Sequence, residues 1–394
     1  MGVAEELGLK SHEREWLALS LTPGLGHTRT RRLLQHFSSV KQVFRASLTE
    51  LEAAQLPASA AQSIATGASY GLADAELNKV AAAPGVRLIG LDSPEYPEHL
   101  KQIYDPPVVL YVRGDAEVLN QPGIAMVGTR HPTPYGLGMA ERLACDLAAR
   151  GLIIFSGLAR GVDSASHRGA VKVKGKTVGV LGTGVDVIYP RENRKLADSI
   201  IEVGGAIISE FGLGTAPTPQ NFPIRNRIIS GLSYGVLVVE AGEFSGTRIT
   251  ARCALEQCRE IFAVPGNVTN RNSWGPNTLI KQGAKLVATW EDVMEELPSD
   301  VRMRLQPVEV DAHPETGSLF PDADGKGNKD DKPLPSAQQK VFALIKADES
   351  IHIDMVMEKL EPAVSSSEVF TALFELEMSG RIRQLPGKSY VRVF

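Results

Sequence analysis

Four glycine-rich segments carry the residues of this sequence that are best suited to chemistry, and each segment directly follows an apolar run. They are "GTRHPTPYG" (128–136), "GLARGVDSASHRGA" (157–170), "GTGVDVIYPREN" (182–193) and "AGEFSGTRIT" (241–250). Their arginines are Arg130, Arg160, Arg191 and Arg248. Glycine lets a backbone approach a ligand closely, and the first N–H groups of a following helix attract anions. A plain tight turn would explain any one segment, but four of them favour phosphate binding.

A fifth stretch, "FPIRNRIISGL" (222–232), places two arginines and an asparagine immediately before an apolar, helix-like run. A buried helix does not need two guanidinium groups at its first turn. We therefore expect Arg225, Asn226 and Arg227 to add positive charge to the same phosphate site. The alternative is that one arginine forms an ion pair with Glu210 or Glu240 and fixes the loop, and both roles can coexist.

Motifs of nucleotide-hydrolysing sites are missing. The chain has no GxxxxGK[ST] segment, and Val187 occupies the third glycine position of the dinucleotide-binding pattern in "GTGVDV". "SGTRIT" is comparable to the motif of nucleoside-monophosphate phosphoribohydrolases, but Thr250 stands where those enzymes have a glutamate. His167 could pair with an acid as a general base, although surface or helix-capping roles are favoured for it and for Asp163. We therefore expect no catalytic residue and no cofactor.

The segments that must position these residues alternate between strand-like and helix-like patterns. Seven runs are apolar almost without interruption: "GIAMVG", "LIIFSG", "TVGVLG", "AIISEF", "GVLVVEA", "EIFAVPG" and "KLVAT". Unbroken apolar runs indicate strands covered on both faces, as in a mostly parallel sheet between helices. We predict an α/β fold with an extended Rossmann-like, doubly wound sheet. Ligands of such sheets bind beyond the carboxyl ends of the strands.

Composition divides the chain into four parts. It predicts a small helical domain at 1–85, a Rossmann-like domain at 86–298, a flexible linker rich in Pro, Gly and Asp at 299–335, and a winged-helix domain at 336–394. In the first part, Ser47 and Glu50 have capping-box spacing. The same part contains "LTPGLGHTRTRRLLQHF", for which two interpretations stay open. It is a phosphate-contacting element of the helix-hairpin-helix or SAM-like type, or it is a plain turn. In the last part, Pro386 and Gly387 are expected to turn a hairpin.

Bulk composition limits the remaining classes. The 42 lysines and arginines nearly balance 46 acidic residues, so affinity for nucleic acid must come from a local cluster of charge. No window approaches the roughly 18 apolar residues of a membrane span. Three cysteines without a CxxC pair argue against a disulfide framework or a zinc site. They indicate a reducing compartment, and we expect a cytoplasmic protein without a metal.

Five ordered blocks resemble the DNA-processing protein A (DprA/Smf) family across roughly residues 90–290. They are "MVGTRHPTPYG", "SGLARGVDSASHRGA", "TVGVLGTGVDVIYPRENRKL", the long block from "ISEFGLG" to "IFAVPG", and "NTLIKQGAKLV". The resemblance implies a domain that binds single-stranded DNA, forms a homodimer and hands the strand to the RecA recombinase during natural transformation. The two end domains resemble accessory domains of some members.

By motif, the resemblance assigns Arg130 to a backbone phosphate in a glycine-lined pocket. Arg191 occupies a position that is commonly lysine in the family, so the positive charge is kept while the contact geometry differs. The expected phosphate-binding residues are Gly128, Thr129, Arg130, Ser156, Gly157, Arg160, Gly161, Arg191, Asn193, Arg225, Asn226, Arg227, Ser245, Gly246 and Thr247.

Two other functions stay open on the sequence alone. A nucleotide-processing hydrolase could use the same fold, and a winged helix could belong to a duplex-binding transcription factor. The predicted recognition helix, "SSSEVFTALFELEMSG", contains three glutamates and no lysine or arginine, which would repel a duplex. A protein-interaction or regulatory role is therefore favoured for this domain. The basic residues that could still contact DNA are in the hairpin: Arg381, Arg383, Lys388 and Arg392.

Overall fold

The structure is a computed structural model, and it describes residues 11–305, 307, 336–346, 350–361 and 364–392. Its first six helices are α1 Ser11–Ser20, α2 His27–Phe37, α3 Val40–Val43, α4 Leu48–Ala53, α5 Ala58–Ala65 and α6 Ala68–Ala82. The predicted capping box is confirmed, because Ser47 and Glu50 exchange hydrogen bonds at the start of α4. Leu17, Leu33 and Tyr111 belong to one buried cluster. Since Tyr111 lies in a strand, the helical part shares its core with the sheet.

A nine-stranded sheet forms the middle of the protein. Its strands are β1 Val86–Gly90, β2 Val109–Gly114, β3 Gly123–Val127, β4 Ile153–Ser156, β5 Thr177–Val180, β6 Ala206–Ser209, β7 Gly235–Val238, β8 Glu260–Ala263 and β9 Lys285–Leu286. Their order is β1-β2-β6-β5-β4-β3-β7-β8-β9. All neighbouring pairs from β6 to β9 are parallel. The chain builds the sheet outward in both directions from β3, so the topological switch point lies between β3 and β7.

Helices cover both faces of this sheet. They are α7 Glu98–Lys101, α8 Pro134–Ala149, α9 Val162–Lys172, α10 Arg194–Glu202, α11 Asn221–Leu232, α12 Thr247–Glu256, α13 Trp274–Lys281, α14 Trp290–Glu296 and α15 Ser299–Arg304. Alternate residues of β3 enter different cores: Ala125 belongs to one cluster and Met126 to another. The unbroken apolar runs therefore have the predicted cause, which is burial on both faces. The doubly wound, Rossmann-like fold is confirmed.

All seven predicted strands are present, but β1 and β2 were not predicted. The two strands pair antiparallel with each other, and β2 also pairs antiparallel with β6. They therefore lie outside the strand–helix–strand repeat on which the prediction was based. The half-buried Arg113 at the end of β2 forms an ion pair with Asp198, 2.9 Å away.

The start of the predicted linker is folded. Residues 299–304 form α15, in which Val301 is 1% exposed, and Leu305 packs against a core cluster of the α/β domain. Burial of these two apolar side chains keeps the segment on the domain. Apart from residue 307, the remainder of the predicted linker lies outside the described residues.

The C-terminal part is a winged helix. Its elements are α16 Ser336–Leu344, β10 Ile351–His352, α17 Ile353–Leu360, α18 Ser366–Met378, β11 Ile382–Leu385 and β12 Ser389–Arg392. The hairpin turns where it was predicted, with Gly387 at φ 83° between β11 and β12. In the part of the chain that the structure describes, helices that are both long and apolar enough for a membrane span do not occur.

Candidate nucleic-acid interface

A cavity of about 1110 Å³ lies beyond the carboxyl ends of β3 and β7, at the switch point of the sheet. Its wall includes the loops after these strands, the first half of α11 and the start of α12, together with Arg271, Asn272 and Trp274. The cationic side chains that line it are Arg130, Arg225 and Arg271. The cavity therefore has the position expected for the ligand site of a doubly wound sheet.

Arg225 supplies a buried positive charge to this cavity. Its side chain is 4% exposed, and Nη1 donates a hydrogen bond to the carbonyl oxygen of Val180 at 2.5 Å. Burial lowers the pKa of Arg225 to about 10, and the neighbouring Arg130 also lowers it, whereas Asp163 raises it. At neutral pH the group keeps its charge, which is shielded from water and therefore acts strongly on an anion.

The Arg225 guanidinium lies against the backbone of Gly157, and a Cβ atom at that position would overlap it. The absence of a side chain at Gly157 is thus what admits the arginine. The hydroxyl of Ser156, however, is fully buried and donates to the Met126 carbonyl oxygen at 2.6 Å. Ser156 stabilises the end of β4 and does not present its hydroxyl to the cavity.

Arg130 is the exposed cation at the mouth of the cavity, and its guanidinium lies 5.6 Å from the ring centroid of Phe222. The backbone around it is held in place by two hydrogen bonds. Thr129 N donates to the Glu240 carbonyl oxygen at 2.6 Å, and Val162 N donates to the Thr129 carbonyl oxygen at 3.2 Å. A Cβ atom at Gly128 would collide with the Val162 side chain and the Glu240 carbonyl oxygen, and one at Gly161 would collide with the Thr129 carbonyl oxygen. Gly161 also has φ 77°.

Asp163 has a different role from the predicted helix cap. Gly161 is the N-cap residue of α9, and the Asp163 carboxylate accepts hydrogen bonds from Gly157 N and Ala159 N at 3.1 and 3.4 Å. Burial raises the pKa of Asp163, while the positive charge of Arg225 lowers it. The residue thus fixes the loop after β4 and partly compensates the charge of Arg225.

His167 lies in neither of the expected places, the surface or a helix cap. The ring is completely buried, and Nδ1 lies 2.7 Å from the hydroxyl of Thr177. Burial lowers the pKa of His167 to about 3, and Arg225 and Arg168 act in the same direction. The imidazole is therefore neutral at physiological pH and structural.

Arg227 does not join Arg225 at the cavity, so the prediction of a shared positive lip is wrong for this residue. Its side chain is buried, and it forms ion pairs with Glu210 at 2.5 Å and with Asp105 at 3.2 Å. This is the predicted alternative, in which one arginine fixes the loop. Burial raises the pKa of Glu210, while Arg227 lowers it through its charge and hydrogen bond. Asn226 lines the cavity beside Arg225.

The loop after β5 contributes fewer side chains to the cavity than predicted. Asn193 is buried and braces the loop after β4, since its amide donates to the Leu158 carbonyl oxygen at 2.8 Å and to Ser164 Oγ at 2.9 Å. Arg160 is exposed and forms a bidentate pair with Glu192, with both N–O distances at 2.7 Å. Arg160 lines a small pocket of about 40 Å³, together with Arg130 and Arg225. Arg191 is exposed and lines neither space.

The start of α12 faces the cavity with three predicted residues, Ser245, Gly246 and Thr247. Gly246 is the N-cap residue and provides no side-chain cap, while Ser245 Oγ accepts a hydrogen bond from Thr247 N at 3.2 Å. The remaining N–H groups of the first turn, at the positive end of the helix dipole, point to an anion site.

Thr250 lines the cavity, whereas Glu240 is buried behind it, and the two do not form a hydrolytic centre. The Glu240 carboxylate is buried and binds Thr133, whose hydroxyl donates to Oε1 at 2.5 Å and whose N–H donates to Oε2 at 2.9 Å. Thr133 in turn is the N-cap of α8. Within the described ranges, no group of three or more His, Cys, Asp or Glu side chains could hold a metal ion.

Sequence reasoning missed the aromatic part of the wall. Its aromatic residues are Tyr189, Phe222, Phe244 and Trp274, and Arg271 and Asn272 lie beside Trp274 in the chain. "NRNSWGPN" follows β8 and thus lies at the same edge of the sheet as the four glycine-rich segments. Its position after a strand was a usable signal, whereas its composition resembles an ordinary loop.

Comparison with known proteins agrees with this geometry. The family described as "DNA recombination-mediator protein A" matches residues 87–298, and "DprA winged helix domain" matches residues 328–388. Protein Smf of Escherichia coli (strain K12) is 44% identical over 311 residues, covering 79% of this chain and 78% of that protein. DNA processing protein DprA of Bacillus subtilis (strain 168) is 48% identical over 215 residues, covering 54% and 72% respectively.

A solved structure extends the match to three dimensions. The X-ray structure of DNA processing protein A (DprA) from Streptococcus pneumoniae aligns with a TM-score of 0.63 at 34% identity, covering 74% of this chain and 99% of that one. The family match spans more than half of the chain, and it contains the whole sheet except the first residue of β1. The chain therefore belongs to the DNA recombination-mediator protein A (DprA/Smf) family.

Proposed function

We propose that this protein binds single-stranded DNA through its phosphate backbone, protects it, and loads the RecA recombinase onto it in recombination and natural transformation. It acts without catalysis, as a homodimer in the cytoplasm. Family membership supports the recombination-mediator class. The cavity at the switch point supports the contact with DNA.

The observation that carries the proposal is the buried Arg225 beneath the exposed Arg130. Arg225 has one hydrogen bond, to a backbone carbonyl, and the facing Gly157 leaves its guanidinium accessible to the cavity. The cavity is lined by more guanidinium groups than carboxylates, since Arg130, Arg225 and Arg271 outnumber Asp163 and Glu243. Together with the start of α12, these guanidinium groups offer N–H donors to an anion. A phosphodiester satisfies these donors, and successive phosphates of a strand can occupy the cavity and its mouth.

Single strands fit this cavity better than duplexes. The site is a concave opening between loops, and an unpaired strand can bend into it, whereas a duplex is a stiff rod with a wide diameter. Fluorescence anisotropy with oligo-dT and a duplex of equal length tests the proposal. We expect tighter binding of oligo-dT, and equal affinity for both would contradict it.

The rival function, hydrolysis of nucleotides, is less well supported. The glutamate position of the phosphoribohydrolase motif is Thr250, which has no carboxylate, and the Glu240 carboxylate is committed to Thr133. Of the two carboxylates that line the cavity, that of Asp163 accepts hydrogen bonds from the loop after β4, and that of Glu243 belongs to an exposed side chain. We therefore expect no release of base from nucleoside monophosphates and no hydrolysis of ATP or DNA. Turnover above background that disappears in Glu240→Gln would overturn this expectation.

For the winged helix we propose contact with protein rather than duplex DNA. The helix α18 exposes Phe370, Phe374 and Met378, by 55%, 64% and 73%, at intervals of four residues. Residues four apart lie on one helix face, so the exposed surface is apolar among glutamates. A truncation after residue 305 should keep most single-strand affinity. Loss of binding in a folded truncation would place the main DNA site on the winged helix.

A further inference from the structure

Two aromatic side chains in the cavity wall are exposed in a way that the fold does not explain. Phe244 is 92% exposed and Trp274 is 39% exposed, and both line the cavity that contains Arg225. An exposed phenylalanine makes little contribution to a core, and its apolar surface is unfavourable in water. We call these two residues the aromatic wall.

The aromatic wall stands on backbone that is tied together across two loops. Ala241 N donates to the Asn272 carbonyl oxygen at 2.7 Å, and Gly275 N donates to the Ala241 carbonyl oxygen at 2.8 Å. A Cβ at Gly275 would lie 2.6 Å from that same oxygen, so the close approach of the loops needs glycine. In addition, Asn272 Nδ2 donates to the His131 carbonyl oxygen at 2.9 Å. Trp274 is thereby fixed relative to the loop that carries Arg130.

Positive charge accompanies the aromatic wall. The Arg248 guanidinium lies 5.5 Å from the ring centroid of Trp274, and its Nη1 donates to the Glu243 carbonyl oxygen at 2.8 Å. Arg271, at the other end of the same short segment, is exposed and lines the cavity. Aromatic faces interleaved with arginines are the arrangement with which proteins hold single strands, because bases stack on the rings and phosphates bind the cations.

The size of the cavity also exceeds what a phosphate requires. Its volume of about 1110 Å³ is slightly above the range of roughly 300–1,000 Å³ for pockets that enclose whole small molecules. A phosphate at Arg225 would leave most of this space for the sugar and base attached to it. A base in a duplex is already stacked and paired, so only an unpaired base can enter.

We propose that Phe244 and Trp274 form a stacking site for an unpaired nucleobase of the same strand whose phosphates bind Arg130 and Arg225. This inference rests on the proposed function and adds a base-dependent contribution to it. Every base has an aromatic face, so the site discriminates single strands from duplexes without reading sequence.

The test combines variants with an altered oligonucleotide. The protein variants are Phe244→Ala, Trp274→Ala, their double variant, the conservative Trp274→Phe, and Val268→Ala as control. Val268 is 88% exposed but does not line the cavity. The probes are oligo-dT and an oligonucleotide of equal length in which the bases are replaced by abasic sites, so that the phosphates remain.

We expect the double variant to bind oligo-dT about 5- to 150-fold more weakly for one stacked base, which corresponds to about 1–3 kcal/mol. Its salt slope should equal that of the parent, because the phosphate contacts persist. Trp274→Phe and Val268→Ala should bind like the parent. The parent should prefer oligo-dT to the abasic strand, and the double variant should lose that preference.

The outcomes separate this inference from the proposed function. If the parent binds oligo-dT and the abasic strand equally, or the folded double variant keeps the parent's affinity, the stacking site is wrong and the phosphate site stands. If the parent binds neither strand, the proposed function itself fails. Thermal melting of each variant excludes unfolding as the cause of a lost preference.

Discussion

The guanidinium of Arg225 lies against Gly157 so closely that a Cβ atom on residue 157 would overlap Nη1. Arg225 comes from α11, whereas Gly157 follows β4, and the two meet where the sheet opens into the cavity. Their contact fixes a buried positive charge at the bottom of a site that is otherwise reached through Arg130.

Gly157→Ala should therefore weaken DNA binding without adding or removing charge. The new methyl group pushes the Arg225 guanidinium aside, and loss of one charged hydrogen bond corresponds to about 1.5–3 kcal/mol, or roughly 10- to 100-fold in affinity. Gly71→Ala is the matched control, since an added Cβ there meets nothing within 4 Å. Anisotropy titration with oligo-dT measures the effect. Parental affinity in Gly157→Ala would mean that Arg225 takes no part in binding.

Arg227→Ala should lower the free energy of unfolding much more than an exposed arginine does. It leaves the buried Glu210 carboxylate without its main partner, which costs about 3–5 kcal/mol. Arg252→Ala is the control, because Arg252 and Glu256 pair on the surface with side chains 80% and 61% exposed. Urea unfolding monitored by circular dichroism compares them. Equal unfolding free energies for Arg227→Ala and Arg252→Ala would show that the Arg227–Glu210 pair does not hold the loop. Replacing both partners, as Arg227→Met with Glu210→Leu, should recover stability.

Stability should fall in acid because of His167. Burial lowers its folded-state pKa to about 3, below the roughly 6.5 of an unfolded histidine, so the unfolded chain binds the additional proton first. The stabilising effect is complete above pH 6.5 and is lost as the pH falls from about 6.5 towards 3, at up to about 1.4 kcal/mol per pH unit.

His99 adds to this slope, since burial lowers its pKa to about 4. His167→Gln should make the unfolding free energy less dependent on pH between 6.5 and 5 by almost one proton. Val268→Ala, at an exposed position without a titratable group, should leave the dependence unchanged. Denaturant unfolding at several pH values measures both slopes. An unchanged slope in His167→Gln would contradict the buried, neutral state of this histidine.

The sequence predicted the sheet well because its strands are buried on both faces. β3 to β8 appear as uninterrupted apolar runs, and the glycine-rich segments follow their carboxyl ends. The antiparallel strands β1 and β2 were not predicted, because they do not belong to the strand–helix repeat. The helix α15 was not predicted either, because the burial of Val301 depends on a surface of the α/β domain that is distant in sequence, and composition does not reveal such a contact.

The sequence predicted where the candidate site lies on the sheet, but not which side chains line it. Arg225 and Arg227 are two positions apart on α11, and residues two apart point about 200° from each other around a helix. Arg225 therefore faces the cavity, whereas Arg227 faces Glu210. The helical periodicity is the reason why the two arginines do not line the cavity together, as was predicted. Phe244 and Trp274 are single aromatic residues without a local pattern, so only the three-dimensional arrangement brings them to the same wall.

The most direct measurement of the phosphate site is the salt dependence of oligo-dT binding for the parent, Arg130→Ala and Arg252→Ala. Arg130 lies at the cavity mouth, whereas Arg252 is exposed on α12 away from it and carries the same charge. If Arg130 holds a phosphate, Arg130→Ala lowers the slope of log K against log salt by roughly one unit or less and weakens binding to all sequences about equally. Arg252→Ala should match the parent. If Arg130→Ala melts like the parent and keeps both its affinity and its salt slope, the cavity is not the DNA site.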